Sequence, residues 1–145
     1  MRLLLLNPNT SDFVTARVAA TAQQCARPGT EVIAVTGPFG ARVIGTRAEL
    51  AIAQHATMEA LAQHAGACDA VVLAVSYDTA LYAAREMLAV PVVGITEAAL
   101  LTACMLGTRT GVIMFGKRVL PLYQELATLY GLGQRITGWR ALESA

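Results

Sequence analysis

The sequence predicts an α/β fold: a parallel sheet with helices on both faces. Three observations carry that expectation. Apolar runs at Leu3–Leu6, Ile33–Val35, Val71–Val75 and Val92–Ile95 are continuous rather than alternating, the pattern of strands buried on both faces. Stretches with helical spacing fill the intervals between them, as right-handed crossovers between parallel strands require. Short polar clusters follow the runs, the sharpest being Ser76-Tyr77-Asp78-Thr79 after Ala70–Val75. In open parallel sheets ligands bind beyond the carboxyl ends of the strands, so this cluster is expected where binding or chemistry happens.

Taken in order, Arg2 to Leu6 reads as the first strand and ends at Asn7-Pro8-Asn9-Thr10-Ser11, a stretch of turn formers and caps. Thr10 or Ser11 starts a helix running to about Arg27, with Val14, Val18, Thr21 or Ala22, and Cys25 as its inward stripe. Pro28-Gly29 stops it, and Glu31 to Val35 is the second strand. A glycine-rich loop, Gly37 to Gly45, leads into a helix from about Arg47 to Ala65, with Leu50, Ala53, Thr57, Leu61 and Ala65 near one face. After the third strand a helix covers Ala80 to about Leu88, capped by Asp78 or Thr79. Val92 to Ile95 is the fourth strand, and Thr96 caps a helix through about Leu106. Thr110 to Phe115 is the fifth strand, followed by a helix from about Arg118 to Tyr130 with Pro121 in its first turn. Arg135 to Trp139 reads as a sixth strand.

A chain of 145 residues suits one compact unit. It is 55% hydrophobic and 14% charged with mean hydropathy +0.51, which fits a fully covered sheet, a sizeable oligomer interface, or both. The formal net charge of +1 and the lack of long like-charge runs argue against nucleic acid and anionic membranes as partners. The opening MRLLLL is too short for a signal-peptide core of roughly 7–15 residues, and no stretch approaches the ~20 apolar residues of a membrane span. Cys25, Cys68 and Cys104 are odd in number and widely spaced, giving neither a disulfide framework nor a zinc pattern. A cytoplasmic location is the resulting expectation.

Several constellations carry candidate chemistry. Asn7 to Ser11 is a plain strand-to-helix turn or, functionally, an anion receptor made of Asn7 and free helix N–H groups. Gly37 to Gly45 matches neither GxGxxG nor GxxxxGK[ST], which leaves a specificity loop or an ordinary one. His55 and His64 point to opposite sides of one helix, so they do not share a metal. The three cysteines map away from the carboxyl edge of the sheet and read as buried small hydrophobes. Ser76 is the candidate catalytic hydroxyl, with no His or Lys base evident and no GxSxG motif.

LLLLNPNTS, GPFGARVIGTRAELAIA, DAVVLAVSYDTALYAAREMLAVPVVGITEAAL and GVIMFGKRVLPLYQELATLYGL together resemble the hydantoin racemase branch of the aspartate/glutamate racemase superfamily. The resemblance implies two similar α/β halves with the active site between them, here residues 1–95 and the start of a second, incomplete half over 96–145. It implies cofactor-independent 1,1-proton transfer at a carbon beside a carbonyl or carboxylate, with a cysteine from each half on opposite faces of that carbon. Aligned on Asp78, Leu81 and Ala84-Arg85-Glu86, Val75 stands where the first cysteine belongs, and no segment here corresponds to the second. Either the chain is the amino-terminal part of a longer protein or it lacks half of its site. The resemblance also leaves open an arylmalonate-decarboxylase-like lyase and a catalytically inactive carboxylate-binding homologue. The expected substrate-binding residues are Asn7, Asn9, Val75, Ser76, Tyr77, Phe115 and Gly116, toward a carboxylate or hydantoin-like ligand, without metal or cofactor, in a homo-oligomer.

Overall fold

The computed structural model describes residues 1–142. Its elements are β1 (Arg2–Asn7), α1 (Asp12–Cys25), β2 (Glu31–Thr36), α2 (Arg47–His64), β3 (Ala70–Leu73), α3 (Leu81–Met87), β4 (Val92–Gly94), α4 (Ile95–Leu106), β5 (Thr110–Phe115), α5 (Leu120–Leu129) and β6 (Ile136–Leu142). Strands β2-β1-β3-β4 form one parallel sheet in that order, and β5 pairs in parallel with β6. From β1 the chain steps outward to β2 and then back across to β3 and β4. Right-handed crossovers therefore put α1 on one face of the first sheet and α2 and α3 on the other, with a switch point between β1 and β3.

The apolar runs become strands because neighbours cover them. Leu4 and Leu6 of β1 and Val71 and Leu73 of β3 are buried together with Leu61 of α2 and Leu81 of α3. Fully burying a leucine of this kind contributes about 1.5–3 kcal/mol. The face toward α1 is thinner, and Val93 of β4 remains 40% exposed there. Helix starts follow local chemistry. Ser11 caps α1, and the Thr46 hydroxyl accepts the Glu49 N–H while the Glu49 carboxylate accepts the Gly45 N–H, which satisfies two otherwise orphaned donors at the start of α2. Gly37 is required where the loops after β1 and β2 meet, since a Cβ there would lie 2.7 Å from the Pro8 carbonyl oxygen.

Three local expectations are corrected. Cys25 is exposed, because the inward stripe of α1 ends at Ala22 and the helix stops as it leaves the sheet. Asp78 and Thr79 do not cap α3; its N-cap is Ala80, in a left-handed conformation at φ +62° with no side-chain cap. Thr96 does not cap α4 either, since Gly94 holds that position and Thr96 sits in the first turn. For Asp78 and Thr96 a contact from a distant part of the chain outcompetes the local one.

Candidate functional site

The carboxyl ends of β1 and β3, the start of α4, strand β5 and the start of α5 surround an open cleft of about 650 Å³. It lies at the switch point, where the loops after β1 and β3 diverge. Asn9, Val75, Ser76, Tyr77 and Phe115 line it. So do residues outside the expected binding set: Ile44 and Gly45 from the glycine-rich loop read as a possible specificity loop, and Thr96, Val119 and Tyr123. The only trace of Tyr123 in the sequence is its place in the inward stripe of the helix after β5. Gly116 is absent from the lining, and the Phe115 side chain is 83% exposed.

Asn7 lies behind the cleft, fully buried. Its amide donates to Asn9 Oδ1 at 2.8 Å, to the Ser11 carbonyl at 3.2 Å and to Thr15 Oγ1 at 3.0 Å. Asn9 Oδ1 in turn accepts the Ser11 N–H at 2.9 Å. This network satisfies the turn from within, and Ser11 with Asp12 occupies the start of α1. The anion-receptor reading of that helix terminus is therefore replaced by a self-capped turn.

The turn after β3 is the polar wall of the cleft. Ser76 is exposed, and its carbonyl accepts the Thr96 hydroxyl at 2.5 Å. Tyr77 is buried, with its ring 4.9 Å from that of Tyr123. Burial pushes the Tyr77 phenol well above its ordinary range. Burial raises Tyr123 too, against a lowering hydrogen bond with the Ser76 side chain. Both phenols therefore stay protonated at neutral pH and act as hydrogen-bond donors or acceptors rather than bases. The Asp78 carboxylate is turned away from the cleft, accepting the Thr96 N–H at 2.9 Å, the Glu97 N–H at 2.7 Å and the Tyr130 hydroxyl at 2.7 Å. It caps α4, the helix after next.

The remaining wall is apolar: Val43, Ile44, Val75, Ile95, Val112 and Val119. Among the described residues the lining contains no cysteine, histidine, lysine or carboxylate. Cys68 is buried, its thiol directed at the His64 carbonyl, and Cys104 is half-buried on α4. His55 packs edge-on against Phe39 and stands apart from His64, and no group of three metal-ligating side chains occurs among the described residues. Among those residues no helix is long and apolar enough to cross a membrane. The cleft can bind and orient a small partly polar ligand, and it offers hydroxyls to a developing negative charge. It holds no side chain with the basicity to take a carbon-bound proton.

Residues 3–145 match the family model described as Asp/Glu/Hydantoin racemase. A hydantoin racemase of Pseudomonas sp. (strain NS671) is 30% identical over 141 residues, which is 97% of this chain and 57% of that protein. The allantoin racemase of Klebsiella pneumoniae superposes with a TM-score of 0.94 at 35% identity, over 99% of this chain and 59% of that one. The allantoin racemase of Pseudomonas fluorescens gives 0.93 at 37% identity, over 97% and 60%. The chain thus spans less than two-thirds of the length of these relatives.

Proposed function

The chain belongs to the Asp/Glu/hydantoin racemase family, and from that premise we propose that it forms the substrate-binding half of a cofactor-independent racemase-type site for a hydantoin or related carbonyl compound. The observation that carries this reading is the placing of Val75, Ser76 and Tyr77 at the carboxyl end of β3, on a cleft that Asn9, Thr96 and Tyr123 also line. Ser76 and Tyr123 supply hydroxyls for a ring carbonyl or its enolate-like form, while the Thr96 hydroxyl, which donates to the Ser76 carbonyl, holds the turn in place. Val75 and Ile44 supply an apolar wall for the ring or its substituent.

Racemisation needs a proton acceptor and a donor on opposite faces of the carbon. Val75 is neither, and Ser76 is an unactivated hydroxyl with no base beside it in the cleft. The chain therefore binds such a ligand without exchanging its α-proton at an enzymatic rate. Catalysis requires a thiol from elsewhere, or Val75→Cys together with the remainder of the fold. An apolar residue at this position also suits a decarboxylase-type lyase, in which a dry pocket assists loss of carbon dioxide; that is the second reading. The exposed apolar surface of α4, β5 and β6 further supports association with another copy of the chain.

The test combines binding and exchange. Protein is incubated with an enantiopure 5-substituted hydantoin in D₂O, and the α-proton is followed by NMR. The expected result is saturable ligand line-broadening with exchange at the buffer rate. Exchange well above that rate, abolished by Ser76→Ala, would make Ser76 a catalytic residue and overturn the assignment. Absence of binding would overturn the reading altogether.

A further inference from the structure

The turn carrying Ser76 and Tyr77 is bound to two distant helices through one buried side chain. Asp78 is 4% exposed and adopts φ +47°, and Ala80 follows at φ +62°. Two non-glycine residues in left-handed conformations so close together are costly and persist where surrounding contacts over-determine them. Here the contacts are the three donors to the Asp78 carboxylate: the Thr96 and Glu97 N–H groups of α4 and the Tyr130 hydroxyl at the end of α5. Gly94 is cut to fit this carboxylate, since a Cβ there would lie 2.6 Å from Asp78 Oδ1. The Thr96 residue whose N–H is held by Asp78 also donates its hydroxyl to the Ser76 carbonyl.

We propose that Asp78 is a positioning residue, whose buried carboxylate clamps the Ser76–Tyr77 turn to the first turn of α4 and to Tyr130 and thereby sets the geometry of the cleft's polar wall. The bearing of that wall on a ligand rests on the function proposed above; the clamp does not. All three contacts are accepted by the carboxylate, and protonation turns one of its oxygens into a hydroxyl, a weaker acceptor whose own hydrogen must find a place among the same three donors. Burial pushes the Asp78 carboxyl up, the three donors pull it down, and the balance lies above the ordinary aspartate range. The groups facing it are Tyr130 and Tyr123 from α5 and Glu97 from α4, itself paired with Arg85 of α3 at 2.5 Å, with Tyr82 of α3 beyond. Acid thus loosens the clamp at a higher pH than an ordinary aspartate would allow.

The experiment is an amide NMR titration of the whole chain from pH 8 downward, repeated in Tyr130→Phe and Glu97→Gln. Ser76 and Tyr77 are expected to shift with the same midpoint as Thr96 and Glu97. Tyr130→Phe removes a donor that favours the carboxylate and moves that common midpoint up; Glu97→Gln removes a like charge and moves it down. Ser76 and Tyr77 signals that ignore the midpoint, or a midpoint unmoved in Tyr130→Phe, would overturn the proposal, and Tyr130→Phe keeps it testable where Asp78→Asn fails to fold. In parallel, affinity for an enantiopure 5-substituted hydantoin is expected to fall about tenfold per pH unit below the midpoint. Affinity independent of pH across it would also overturn the positioning role. A hydantoin that binds at no pH, with the amide midpoints still shared, would sink the functional reading and leave the clamp standing.

Discussion

Strands β1 and β5 read alike in the sequence and end in different surroundings. Leu4, Leu5 and Leu6 of β1 lie between β2 and β3 with helices above and below, and all three are buried. Ile113 and Phe115 of β5 are 69% and 83% exposed, and among the described residues β5 has only β6 beside it. The neighbouring α4 shows the same contrast: no residue of it is buried, and Leu106 is 85% exposed. Apolar character sets what a strand can bury, whereas the number of layers around it sets what it does bury. Parallel strands are ordinarily covered on both faces. The β5–β6 pair is accordingly the part of the molecule suited to a further layer of protein, and β1 in the first sheet the part that is already enclosed.

The largest expected effect comes from the enclosed side of this comparison. Leu6→Ala is expected to cost about 2–5 kcal/mol in urea unfolding, and Phe115→Ala to stay within about 0.5 kcal/mol. Equal costs would show that β5 is covered in solution and would break the comparison. Gly94→Ala is next, at about 1–3 kcal/mol, because the added methyl meets the Asp78 carboxyl group and cannot relax without shifting α4. A neutral result would mean that the turn and α4 are free to move apart. Association sharpens the contrast from the other side. If β5 packs against a second copy, Ile113→Asp with Phe115→Asp should weaken self-association by tenfold or more, a loss of about 1.4 kcal/mol, in sedimentation velocity. The wild-type chain sedimenting as a monomer at micromolar concentration would remove that occupant. The smallest effect concerns Thr79, whose hydroxyl is the buried side-chain oxygen left without a partner among the described residues. Thr79→Val is expected to raise stability by up to about 1 kcal/mol, since it removes an unpaired polar group. A clear loss would instead reveal a partner for that hydroxyl.

Much of the candidate site was legible because it follows from strand ends. Val75, Ser76 and Tyr77 come to the cleft in the turn that follows β3, and Asn9 in the loop past β1. The same reasoning placed Asn7 in the site, but the amide of this last residue of β1 turns inward and serves its own loop. Tyr123 and Thr96 were not legible as lining residues, since their place depends on how α4 and α5 lean across the end of the first sheet. The resemblance to the racemase family rested on runs of residues spread along the chain, and the family match over residues 3–145 bears it out.

By itself the sequence determined the α/β alternation, the parallel sense of the first four strands and the polar clusters at their carboxyl ends. These depend on hydrophobic period and turn chemistry, which act between residues a few positions apart. Only the tertiary structure decided that Asp78 caps α4 rather than α3, that Tyr130 reaches it from 52 residues away, and that Cys25 faces solvent. It also decided that β5 lies open while β1 is enclosed. A local pattern states what a side chain can do; which donor reaches a buried carboxylate, and which layer covers a strand, is settled by groups that the chain brings together only on folding.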